Sequence, residues 1–165
     1  MKITFLFLFL LFTGCSSYEA EAQIDSIKLL QTIWNSKDLS LALKKIQGLH
    51  KVSEDDEYET FGTDKKNHIF SLAIHISKKD KRIVSIRAPL DNGKDIPANV
   101  VKSKLTTDDW KTYEHPTSGI DAVKLDVSEY SEKLGVGFAY DKLDKEKKTR
   151  MIYWGGDLKK IQTIL

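Results

Sequence analysis

Four histidines, a single cysteine and one serine–glycine pair are the residues of this 165-residue chain whose types suit covalent, acid–base or metal chemistry. The histidines are His50, His68, His75 and His115. No two stand four apart, the spacing that puts two imidazoles on one helix face, and none pairs with a glutamate in the zinc-peptidase pattern. His68 and His75 bracket one alternating stretch. Their odd separation directs them to opposite faces of a strand, so that strand cannot bring them to one metal. Ser118-Gly119 has His115 three residues away but no strand–turn–helix frame to present a nucleophile. Gly135-Val136-Gly137 lies within a strand pattern and opens no helix, so no phosphate loop is expected. The acidic run Glu54-Asp55-Asp56-Glu57 and the loop Asp91-Asn92-Gly93-Lys94-Asp95 lack the spaced oxygen ligands of a calcium site and read as turns. The expectation is a protein with no catalytic residue, no metal and no cofactor.

That leaves Cys15, and its setting is specific. Met1-Lys2 is followed by the run Ile3–Phe12 and then by Thr13-Gly14-Cys15-Ser16-Ser17. One cation, about ten mostly apolar residues and a small residue before the break form an export signal. At about 1.5 Å per residue the run reaches roughly 15 Å, about half of a bilayer core, too short to cross it. Leu11-Phe12-Thr13-Gly14-Cys15 resembles the lipobox of bacterial lipoproteins, with a bulky Phe12 where that family usually carries leucine. The resemblance implies cleavage before Cys15, a diacylglycerol on its thiol and usually an acyl chain such as palmitate on its new amine. Two or more chains hold a protein firmly, whereas one holds it marginally. In enteric-type lipoproteins an aspartate after the cysteine marks inner-membrane retention. Ser16 stands there instead, so the resemblance favours lipid anchoring to the outer membrane with the domain in the periplasm.

The elements behind this anchor follow from hydrophobic period. Residues 1–14 read as signal and 15–23 as a small, polar, lipidated tether. Residues 24–165 suffice for one domain. With Cys15 modified no thiol remains, so packing alone must stabilise that domain. Ile24–Trp34 has helical period, with Ile27, Leu30, Ile33 and Trp34 on one face. Leu39–Gln47 follows, with Ser36 or Asp38 as cap and Gly48 as stop. Period two begins at Ile69–Ile76 and returns in Arg82–Leu90 across a charged turn, predicting a hairpin with Val84, Ile86, Ala88 and Leu90 inward. Tyr58–Gly62 supplies a preceding strand. Asn99–Leu105 leans slightly toward strand, and Thr107–Trp110 reads as a capped helical turn. Ala122–Val127, Gly135–Tyr140 and Thr149–Trp154 are further strands, and Leu158–Leu165 a last short helix. The expected fold class is α+β: an N-terminal helical pair packed on an antiparallel sheet of about five to six strands.

The whole chain carries a formal charge of +2, about +1 once Lys2 is removed, with cations and anions interleaved. No concentrated basic face is present, so a nucleic-acid partner is not expected. Aromatic residues crowd the C-terminal half, and Trp110, Tyr113, Tyr130 and Trp154 are the candidates for anchoring a protein partner. The functional expectation is a non-catalytic envelope module that binds or assembles with a protein at the outer membrane. An immunity protein neutralising a periplasm-acting toxin is the alternative, and an envelope hydrolase a more distant one.

Overall fold

A computed structural model describes residues 13–63, 72–89, 96–114, 127–141 and 143–155, with side chains from residue 25 onward. Its described part is an α+β arrangement dominated by one antiparallel sheet of nine strands, larger than the expected five or six. Helix α1 spans Thr13–Ser36 and helix α2 spans Leu39–Lys45. The strands β1 (His50–Glu54), β2 (Tyr58–Gly62), β3 (Ala73–Ser77) and β4 (Ile83–Pro89) follow in order, then the two-residue β5 (Ile96–Pro97). Helix α3 (Ala98–Lys104) precedes β6 (Lys111–Glu114), β7 (Val127–Ser131), β8 (Val136–Tyr140) and β9 (Lys148–Gly155). The sheet runs β1-β2-β3-β4-β9-β8-β7-β6, and β5 pairs with the first residues of β9. The last strand therefore sits in the middle and joins a β1–β4 meander to a β6–β8 meander.

Apolar residues from all three helices share one core with one face of this sheet. Ile27, Leu30 and Ile33 of α1, Ala42 of α2 and Val101 of α3 pack with Ile74, Ile76, Ile86, Phe138, Ile152 and Trp154. The helical stripes of α1 and α2 and the alternating strand residues predict this set, apart from Val101. Asp38 caps α2 by accepting from the Ser40 amide at 2.8 Å, and Ser36 Oγ accepts from the Asp38 amide at 3.2 Å. Gly48, just beyond, has φ +73°.

Several expectations need correction. The expected tether 15–23 is helical, because α1 is continuous from Thr13. Glutamate, alanine and glutamine in that stretch are good helix formers. Residues 98–104, read as leaning to strand, form α3, whose C-terminal turn carries Lys102 and Lys104 where cations suit the helix dipole. Residues 111–114 form β6 and residues 50–54 form β1. Every residue of both strands is exposed, so neither shows an alternating signal. In β4 the inward residues are Ile83, Ile86 and Ala88, not Val84. The register slips between His75 and Ile76, so Ile76 faces Ile83 and Val84 becomes the extra residue of a bulge. A second bulge, at Arg150 in β9, throws that side chain into solvent between the buried Thr149 and Met151. The acidic run is the β1–β2 turn: Asp55 Oδ1 accepts from the Glu57 and Tyr58 amides at 2.9 and 2.7 Å. The signal run through residue 12, His68, His115, Ser118 and the helix predicted at 158–165 lie outside the described residues.

Candidate functional site

The face of β2, β3 and β4 turned away from the core is the part of the sheet where polar groups gather half-open to solvent. Cross-strand register fixes its rows. Thr60, His75 and Ser85 stand side by side, as do Ala73, Arg87 and Tyr153, with Tyr58 beside Ser77 at one end. Tyr58 is exposed; Thr60, Ala73, His75, Ser77, Ser85 and Arg87 are half-buried. The same face behaves differently on β7–β9, where Ser128, Tyr130, Ala139, Met151 and Tyr153 are buried. Tyr153 lies across Gly137, leaving no space there for a Cβ, and burial pushes its phenol up to about 12. The sheet thus presents one closed and one half-open region on this face.

At the centre of the open region His75 Nδ1 and Ser85 Oγ are 2.7 Å apart. Burial lowers the His75 pKa, the Arg87 charge lowers it further, and the Asp55 carboxylate at the turn opposes both. A hydroxyl bonded to an imidazole is the smallest part of a nucleophilic site. Among the described residues no carboxylate accepts from the other ring nitrogen to orient the base, so the pair reads as a hydrogen-bonded cross-strand contact. Arg87 has neither a hydrogen-bonding nor an ion-pairing partner among the described residues.

The lowered His75 pKa carries a prediction. The folded state binds its proton less readily than the unfolded chain, whose value is about 6.5. Its contribution to stability is therefore full above that value and is lost as pH falls through the folded pKa. An imidazole NMR titration should place the His75 midpoint below about 6.5. His75→Gln should flatten the stability profile between pH 7 and pH 5 in urea melts; an unchanged profile would remove His75 from the account.

A second polar cluster lies on the core face beneath α3. Glu129, with 6% of its side chain exposed, accepts from the Tyr140 hydroxyl at 2.8 Å and is ion-paired with Lys102. Trp110 stands edge-on to Phe138, ring centroids 5.4 Å apart, with the Lys102 ammonium 5.8 Å from the Trp110 ring. Burial and the Glu129 acceptor both raise the Tyr140 pKa, so its hydroxyl stays protonated and donating. Nearby, Asp109 accepts from Thr107 Oγ1, from Ser131 Oγ at 2.5 Å and from the Lys133 amide at 3.0 Å. These donors hold its carboxyl well below the ordinary carboxylate range, with the Ser131 bond the largest influence. Both clusters bind elements of the fold together.

The predicted partner-binding aromatics separate. Trp154 is fully buried and its indole donates to Gln31 Oε1 at 2.7 Å. Tyr130 is 5% exposed, Trp110 half-buried, and Tyr113 on β6 is 36% exposed. Of these four, only Tyr113 is open, so they do not make one exposed patch. Cys15 falls in the first turn of α1. Sequence reasoning passed over Ser85 and Arg87, although they occupy the outward positions of a strand it predicted. It had no signal for Glu129, which stands two residues beyond the strand predicted at 122–127. Among the described residues no three histidine, cysteine or acidic side chains converge as metal ligands, and no helix is long and apolar enough to cross a membrane. No protein-family model, curated protein or solved structure matches the chain.

Proposed function

We propose that this protein is a lipid-anchored envelope lipoprotein, held at the outer membrane through Cys15, whose domain works by binding a protein partner in the periplasm. The observation that carries the reading is the stretch Met1–Ser17: a cation, an apolar run and Thr13-Gly14-Cys15 in the order of a lipoprotein signal. The half-open sheet face supports the binding part, since it offers hydroxyls, an imidazole, an arginine and an exposed tyrosine on one rigid surface. Arginine and tyrosine are over-represented among the residues that dominate binding energy. In the same reading the two N-terminal helices act as a pair laid on the sheet.

The test is Cys15→Ser in cells, read by membrane fractionation and intact mass. The parent chain is expected in the membrane fraction, starting at Cys15 and heavier than its polypeptide by a diacylglycerol and an acyl chain. The serine variant is expected to keep its leader or leave the membrane. A mass difference no larger than the exchange of sulfur for oxygen, with identical membrane retention, would refute lipidation.

A further inference from the structure

We infer that the open sheet face around Arg87 is the docking surface for that partner, and that the partner seats an acidic side chain on the Arg87 guanidinium. This rests on the partner-binding reading above and names the chemistry that the partner must bring. Arg87 is half-buried and, among the described residues, has neither a hydrogen bond nor an ion pair. An arginine without a partner is met best by a carboxylate, whose two oxygens match its planar fork. The surroundings fit such a guest. Ala73, directly beside Arg87 on β3, leaves the guanidinium uncrowded on that side, and Thr60, Ser77 and Ser85 offer hydroxyls on the same face. His75 adds a neutral ring whose protonation a bound carboxylate would favour. Tyr58 gives an exposed aromatic at the edge of the patch.

The charge pattern selects a protein carboxylate over a membrane or nucleic-acid surface. Among the outward positions of β2–β4 described above, Arg87 is the one permanent charge, and no lysine joins it. Polyanionic surfaces are held by several cations acting together. One arginine among small hydroxyl side chains, with a tyrosine nearby, is instead the pattern of a protein interface with a charged centre.

The experiment uses the isotope-labelled full chain in non-ionic detergent at low ionic strength, where screening is weakest. A capped six-residue glutamate peptide is titrated in while the Arg87 Nε–H and His75 ring signals are followed. The expected result is a saturable shift of the Arg87 signal and a rise in the His75 titration midpoint in the complex. A six-residue glutamine peptide should produce neither. Arg87→Gln should weaken glutamate binding by about tenfold or more, and Arg87→Lys should recover only part of it. An unmoved Arg87 signal, equal shifts from both peptides, or tighter saturation by inorganic phosphate would each overturn the proposal. Arg87→Gln should leave the added lipid mass and the membrane attachment as in the parent, so this surface and the Cys15 anchor can fail separately.

Discussion

Gly155→Ala is expected to destabilise the domain by about 3–5 kcal/mol, a large share of the ~5–15 kcal/mol that holds a typical domain folded. Gly155 ends β9 with φ +73°, a conformation that costs a side-chain-bearing residue about 1–3 kcal/mol. Space is the larger difficulty. A Cβ there would lie 2.5 Å from the Val84 carbonyl oxygen and would run into the outer ring of Trp34. The carbonyl belongs to the bulged strand β4 and cannot turn aside. Trp34 cannot easily retreat either, since its indole donates to the Leu134 carbonyl at 3.1 Å and rests on Gly135. Gly135 also has positive φ, +64°, and its carbonyl accepts from the Gly155 amide at 2.9 Å. The two glycines form the seat into which α1 sets its tryptophan. Urea melts should show a lower midpoint with an unchanged slope. On a Trp34→Ala background the same substitution should cost less but not vanish, because the Val84 carbonyl remains in the way. A Gly155→Ala protein within about 0.5 kcal/mol of the parent would refute this packing.

The second large effect concerns Glu129, and it has a direction as well as a size. Lys102→Met keeps the aliphatic stem beside Trp110 but removes the ammonium, leaving a carboxylate with 6% of its side chain exposed and, among the described residues, Tyr140 as its remaining partner. Stripping one member from a buried pair costs about 3–5 kcal/mol because the other charge remains uncompensated. Lys102 is 36% exposed along its side chain, so water can approach, and about 2–4 kcal/mol is expected. Glu129→Gln should cost less, about 1 kcal/mol, because the amide oxygen still accepts from Tyr140 and the freed lysine can turn to solvent. The double variant should be more stable than Lys102→Met alone. Equal losses in the two single variants, or a larger loss for Glu129→Gln, would mean that the carboxylate is not the buried partner.

How much of this was legible in the residues depends on where the signal comes from. Ile27, Leu30, Ile33, Ile74, Ile76, Ile86, Phe138 and Ile152 declare themselves by period, because burial on one face leaves a regular mark. β1 and β6 leave none, since each is an exposed edge where either face accepts polar residues. β5 is two residues long, too short for any period. Val84 and Arg150 mislead for a different reason. A bulge adds one residue to a strand and inverts the alternation beyond it, and only the pairing partner reveals it. The aromatic residues are partner candidates by type, but the same type is what a sheet buries against helices. The sheet buries Trp154 and Tyr130, and the indole N–H of Trp154 donates to Gln31, more than a hundred residues away. Ser85 and Arg87 were legible as outward positions. That they share a row with His75 and Tyr153 depends on the strand order, which local pattern does not carry.

The unbroken helix from Thr13 to Ser36 changes what an acyl group on Cys15 would do mechanically. A floppy leash lets its cargo tumble over the lipid. The nine helical steps from Cys15 to Ile24 form a strut of roughly 14 Å, at ~1.5 Å each, running without a joint into the part of α1 that is packed in the core. Height and heading are then set together, so the sheet would meet whatever lies across from it at a preferred tilt. Inserting two residues after Gln23 would rotate the domain by about 200° around that axis, at ~3.6 residues per turn, with little change in height.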